Sequence, residues 1–179
     1  MCNALVLFAL LAGAKADEGQ VARLPQQFAD GIAARSGAKA AEPYWDSPEL
    51  VSIWPDQHGE TTGIAAQRAK IAADLASTRE IKLAFRNVHV VVAGDIAWGE
   101  ARWDEHAVAD SGKTADFHNG RYSFVARRIK GAWKIVQEHA SLPYEKPALP
   151  GSPASPAPAP PATTEGTPEV HAPIRPGRR

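Results

Sequence analysis

Residues 79–98 read REIKLAFRNVHVVVAGDIAW, and their apolar pattern decides the fold. Ile81, Leu83 and Phe85 alternate as a half-buried strand requires, but the apolar set then resumes at Val88, Val90 and Val92. Strand side chains alternate faces with a period of two, so the phase changes only where an extra residue is inserted. The jump places a β-bulge near Arg86-Asn87, and a bulge there bends the sheet.

Working outward, Gly94-Asp95 turns the chain into a strand over Ile96 to Val108. Asp110-Ser111-Gly112-Lys113 makes the next hairpin, leading to a strand from Thr114 to Ile129. Lys130-Gly131 is the last turn, before a final strand from Trp133 to Ser141. Hairpins in succession give an antiparallel, sequence-adjacent sheet whose apolar face needs a cover.

The cover lies upstream. Val21, Leu24, Phe28 and Ile32 recur at helical spacing within Val21 to Lys39, with a stop at Ser36-Gly37. A short second helix is expected over Ala38 to Tyr44, and a first strand over Glu49 to Trp54 between Pro48 and Pro55. A longer helix follows Thr61-Thr62-Gly63, where a threonine is expected to cap it, with Ile64, Ile71 and Leu75 on one face. Helices followed by a curved antiparallel sheet make an α+β sandwich.

Both ends read differently. Ala4 to Leu11 is a short apolar run, and Ala14-Lys15-Ala16 offers small residues where signal peptidase looks, so residues 1–16 are expected to be a signal peptide. The segment lacks a basic start, and the other reading of the run is an apolar first helix. An export signal implies a secreted or periplasmic protein. The single cysteine, Cys2, would leave with that segment, so no disulfide, thiol nucleophile or cysteine-held metal is expected in the remainder. Residues 147–179 hold ten of the fifteen prolines, mixed with alanine, serine and threonine. Such a stretch buries too little apolar surface to fold and is expected to be a disordered tail. The domain therefore spans residues 17–146.

Charge excludes some partners. Lysine plus arginine and aspartate plus glutamate number 20 each, so no net field favours nucleic acid, and the apolar run is too short to span a membrane. No phosphate loop, GxSxG motif or close histidine spacing is present, and neither a cofactor nor a metal is expected.

Gly94-Asp95-Ile96-Ala97, Gly120-Arg121-Tyr122-Ser123, Gly131-Ala132-Trp133-Lys134-Ile135-Val136 and His139-Ala140-Ser141-Leu142-Pro143 occur in this order. Together they resemble the second half of a SnoaL-like domain, of the nuclear transport factor 2-like superfamily that includes ketosteroid isomerases. Trp54-Pro55-Asp56 and Gly63 fit its first half. The resemblance implies a cone-shaped curved sheet, with N-terminal helices on its concave face and a pocket in the mouth. It implies no single activity, because the superfamily hosts enzymes, binding modules and oligomerisation modules.

Ketosteroid isomerases place a basic aspartate where this chain has Trp54, and a protonated acid where it has Phe124 and Val125. None of these three side chains can do that work, which argues against that mechanism and leaves Asp56 as a weak substitute. Arg121 matches a family arginine that holds small carboxylates; an ion pair with Glu100 or Glu138 is the competing reading. His139 and Ser141 are expected on one face with Trp133 and Ile135, either as site residues or as structural ones. Trp103 is expected inward beside Ala97, Gly99 and Ala101, and Trp98, Glu100 and Arg102 outward. The outward set suits a homodimer through the sheet, which the family commonly uses.

These residues lead to a small-molecule-binding protein with Arg121, Trp54, Trp103 and Ser141 around a small carboxylate or carbonyl compound. Two alternatives stand beside it. One is a lyase, isomerase or cyclase using His139 as general base, and the other a dimerisation module without a ligand.

Overall fold

The computed structural model describes residues 15–55 and 59–143. The apolar run, Asp56, His58 and the proline-rich tail fall outside the described residues.

Helix comes first. Residues 15–22 are helical (α1), followed by α2 (Leu24–Ala33) and α3 (Gly37–Ala41). The single helix expected from Val21 breaks at Arg23 because Pro25 sits in the first turn of α2 and has no amide to continue the ladder. Arg35, with φ at 51°, reverses the chain, and the Ser36 hydroxyl caps α3 by accepting from the Lys39 amide at 3.3 Å. The Arg35 guanidinium donates to the carbonyls of Leu75 and Thr78, which ties this corner to the end of the long helix.

β1 (Val51–Ile53) and β2 (Thr61–Thr62) precede that helix, α4 (Ile64–Ser77). Thr61 and Thr62 are strand residues, and no threonine caps α4. Gly63 stands at the N-cap with φ at 84°, and the Ile64 amide is satisfied by the Ser47 carbonyl at 3.0 Å. A side chain at Gly63 would meet the Pro48 backbone, so the entry to α4 is set by that close approach.

β3 (Thr78–Ala93), β4 (Ile96–Ala109), β5 (Thr114–Ile129) and β6 (Ala132–Ser141) follow as hairpins. The sheet order is β2-β1-β6-β5-β4-β3. One pairing was not foreseen: β1 runs parallel to β6, with Ser52 opposite Glu138. That contact brings the first strand, from the helical half, beside the last.

Besides a register slip between Thr78 and Glu80 at the start of β3, three bulges bend this sheet. In β3, Asn87 takes φ of 53° where the register slips between Arg86 and His89, at the place the apolar phase requires. In β5, Asn119 takes φ of 58°, and His118 and Asn119 together face Asp104 of β4. Asp104 clamps both. It accepts from Arg86 Nε at 2.8 Å and from the Asn119 amide at 2.7 Å. Those two donors, the guanidinium first, hold its carboxyl down at about 2. The third bulge is at Val136 in β6, because Ala126 pairs with Ile135 while Val125 pairs with Gln137.

The helices cover the concave side. Val21, Leu24, Phe28 and Ile32 from α1 and α2 join Ile71 and Leu75 of α4 over Trp103, Tyr122, Phe124 and Ile135 of the sheet. Ala97 and Ala101 also face in while Trp98 is 49% exposed, so the two faces of β4 are as the alternation requires. Gly99 makes room for a sheet neighbour, since a Cβ there would press on the Phe124 ring. Among the described residues no helix is long and apolar enough to cross a membrane.

Candidate functional site

The Val136 bulge decides which residues reach the interior. Trp133 and Ile135 face in, the extra residue shifts the phase, and Glu138 and Ala140 face in next. Glu138 is wholly buried, although a buried carboxylate is costly unless its oxygens are satisfied. Here they are satisfied by five donors.

Oε1 of Glu138 accepts from the Ser52 hydroxyl at 2.6 Å, the Trp54 indole at 2.9 Å and the Gln67 amide at 3.4 Å. Oε2 accepts from the Tyr122 hydroxyl at 2.6 Å, and the Tyr44 hydroxyl lies 3.0 Å from both oxygens. No cation is among these partners. Burial first, and the Glu138 charge second, push both tyrosine hydroxyls well above their ordinary range, so each keeps its proton and donates. Each donor comes from a different part of the chain: the stretch after α3, β1, its exit, α4 and β5. Glu138 thus fastens the helical layer to the sheet at one point.

Beside this hub lies a cavity of about 200 Å³ between α2, α4 and the sheet. Phe28, Trp54, Trp103 and Phe117 form one wall as a chain of ring contacts with centroids 5.9, 5.4 and 6.0 Å apart. Such pairs add about 0.5–1.5 kcal/mol each beyond burial and keep the wall in place. Ile71, Ile81 and Leu83 line the other side, and an ion pair between Lys70 and Asp74, at 2.8 Å, borders it.

The polar atoms at this cavity have an asymmetry. Both tryptophan N–H groups are in use, Trp54 on Glu138 and Trp103 on the Arg121 carbonyl at 3.1 Å. Gln67 turns its amide nitrogen to Glu138, and its Oε1 is buried with no donor facing it. The opposite amide rotamer would set oxygen against carboxylate, so Glu138 fixes which end of Gln67 is left without a partner.

The residues singled out from sequence divide in two. Trp54 and Trp103 line the cavity. His139, Ser141 and Arg121 do not. The single-face reading of the last strand fails at Val136: His139 opposes Ser123 across β5 on the convex face, and Ser141 lies on that face too. Arg121 is exposed and donates to the Leu142 carbonyl at 3.1 Å, so it is paired with neither Glu100 nor Glu138. Phe124 is a core residue packed on Tyr122, at 5.6 Å between ring centroids.

Sequence reasoning missed Glu138, Tyr44, Ser52, Gln67 and Tyr122 as a group. One signal was present. Gln67 sits in the apolar stripe of α4 with Ile64, Ile71 and Leu75, where a glutamine must find buried partners.

Comparison with known proteins places this geometry. The SnoaL-like domain family matches residues 21–145. A nuclear transport factor 2-like superfamily protein from Salmonella enterica is similar in structure, with a TM-score of 0.67 at 21% identity over 77% of this chain and 98% of that one. A candidate dehydratase of the same superfamily from Streptomyces avermitilis gives 0.64 at 20% identity, over 73% and 99%. A protein with a cystatin-like fold from Novosphingobium aromaticivorans gives 0.65 at 16%, over 79% and 92%. At these identities the likeness concerns the fold. Among curated proteins, none matches this sequence.

Proposed function

The chain belongs to the SnoaL-like domain family, and from that premise we propose that it binds a small organic molecule in the cavity between α2, α4 and the sheet. The observation that carries this reading is the aromatic chamber itself, walled by four rings and closed behind by the Glu138 hub. Its size selects the ligand. An apolar cavity near 150 Å³ already takes up benzene, whereas sites for drug-sized molecules begin near 300 Å³. At about 200 Å³, the chamber suits one ring with a small substituent rather than a steroid. The acidic ligand expected from Arg121 finds no guanidinium here, because that side chain is on the other face.

The test is a thermal-shift series with single-ring aromatics on the full chain. At 100 times its dissociation constant a ligand stabilises by about 2.7 kcal/mol, a rise of roughly 8 °C for a domain of this size. Ala107→Phe, which fills the chamber from β4, is expected to abolish the shift while the variant stays folded. A panel in which no compound moves the melting point would remove the reading.

A second reading concerns the convex face, where Val91, Ile96 and Trp98 are each 49% exposed. Large apolar side chains gathered on one sheet face favour an interface, and a second copy of this chain is the occupant proposed. Sedimentation velocity is expected to give a dimer for the native chain and a monomer for Trp98→Glu. A native monomer would set the dimer aside without touching the ligand reading.

A further inference from the structure

We infer that the chamber selects a primary arylalkylamine, with its ring among the aromatic wall residues and its protonated amine at Asp74 and Glu105. This rests on the chamber being a ligand site, and goes further by naming the head group that the site selects.

The chamber has two ends, because α4 runs along it. At one end Gln67 meets Trp54 at their shared acceptor, Oε1 of Glu138, and Trp54 packs on Trp103. At the other, Asp74 and Ser77 finish the helix and Thr78 begins β3. Seven helical steps separate Gln67 from Asp74, about 10 Å of rise, which is room for a ring and a two-carbon arm. Between the ends stands Glu105. It follows Trp103 by two positions on β4 and pairs with Leu83 and Phe117, and all three line the chamber. A carboxylate thus occupies an inward position on a strand face otherwise made of alanine, glycine and tryptophan.

Hydrogen-bond supply sets the kind of head group. The hydroxyls of Ser77 and Thr78 both donate to the Asp74 carbonyl, at 3.2 and 2.7 Å. The indoles of Trp54 and Trp103 and the amide of Gln67 are committed to Glu138 and the Arg121 carbonyl. Lys70 is the remaining donor, and Asp74 engages it at 2.8 Å. What the polar end presents beyond these bonds is acceptors: two hydroxyl oxygens and the carboxylates of Asp74 and Glu105. A primary ammonium brings three donors and no acceptor.

Charge points the same way. The lining carries two carboxylates, Asp74 and Glu105, and one ammonium, Lys70. Lys70 and Glu105 both have partners within the chain, so a ligand joins a network rather than filling a gap. Behind Gln67 stands the Glu138 carboxylate, with no cation among its partners. Arg35 holds the carbonyls of Leu75 and Thr78 and is not a lining residue. A ligand ammonium makes the lining two against two, whereas a ligand carboxylate makes it three against one. The ammonium keeps part of its water, because the Asp74 side chain is 43% exposed, and this lowers the cost of bringing it in.

The experiment compares three compounds of similar shape by calorimetry on the full chain: 2-phenylethylamine, 2-phenylethanol and phenylacetate. At neutral pH and low salt the amine is expected to bind about tenfold tighter than the alcohol, the yield of one charged hydrogen bond, and the preference should shrink as salt is added. Phenylacetate should bind more weakly than the alcohol. Glu105→Gln and Asp74→Asn each remove one negative charge, and in either variant amine and alcohol should come close to equal while the alcohol binds as before. Lys70→Gln changes the charge the other way and should widen the preference for the amine. Equal binding of amine and alcohol in the native protein would overturn the inference and leave the chamber as an apolar site, as would tighter binding of phenylacetate. A preference for the amine that survives both carboxylate variants would overturn it too, by placing the ammonium elsewhere. Binding by none of the three would bring down the ligand reading itself.

Discussion

Glu138→Leu is expected to cost about 4–5 kcal/mol, among the largest effects a single substitution can have. Leucine is close in volume, so the loss is not one of packing. It comes from five donors left facing a hydrocarbon: the hydroxyls of Tyr44, Ser52 and Tyr122, the Trp54 indole and the Gln67 amide. Each buried donor without a partner costs about 1–3 kcal/mol, reduced here because the hydroxyls can turn toward one another. A domain with about 5–15 kcal/mol to lose would be near its limit. Glu138→Gln keeps one acceptor oxygen and should cost about 2 kcal/mol, since its new amide hydrogens can be received by the tyrosine oxygens. Urea denaturation of the three proteins measures this directly. A Glu138→Leu protein within 1 kcal/mol of the native one would show that the carboxylate is not the fastening point described above.

The same residue shows where the sequence could be read and where it could not. The bulge in β3 was legible because three large apolar residues stand on each side of it, Ile81, Leu83, Phe85 and then Val88, Val90, Val92. The bulge in β6 obeys the same rule, but the phase after it is carried by Glu138 and Ala140. A glutamate and an alanine do not announce an inward face, whereas His139 and Ser141 looked like a continuation of Trp133 and Ile135. One inserted residue, Val136, therefore moved the expected polar site from the concave side to the convex side. The helices, hairpins and inward Trp103 depended on local spacing and were readable.

What lay beyond sequence is non-local. Ser52 meets Glu138 because β1 runs parallel to β6, a pairing between segments 86 residues apart with no turn signal to mark it. Tyr44 reaches the same carboxylate across 94 residues. The resemblance to the family supplied the cone. It could not supply this hub, because the motif that carries it includes His139-Ala140-Ser141 and stops one residue short of Glu138.

The wall of the chamber depends on an equally specific absence of atoms. Gly120 lies across from Trp103 in the β4–β5 ladder, and a Cβ added there would stand only 2.2 Å from two atoms of the indole. Overlap with a flexible side chain is cheap, but Trp103 is not free to turn. Its N–H is bonded to the Arg121 carbonyl, its ring is held between Trp54 and Phe117, and it is 1% exposed. Overpacking of a fixed core position costs about 1–3 kcal/mol, and Gly120→Ala is expected near the upper end, at about 3 kcal/mol. The second consequence concerns function. For the backbone to keep its register, the indole must shift, and the chamber that it lines offers space for that shift. Gly120→Ala should therefore lose single-ring ligands more completely than its stability loss alone explains, and near-ultraviolet circular dichroism should report the displaced tryptophan. Comparing it with a variant equally destabilised far from the chamber separates the two effects. Should both variants bind alike, Trp103 would not be a wall of the site, and the chamber would have to be redrawn around Phe28 and Trp54.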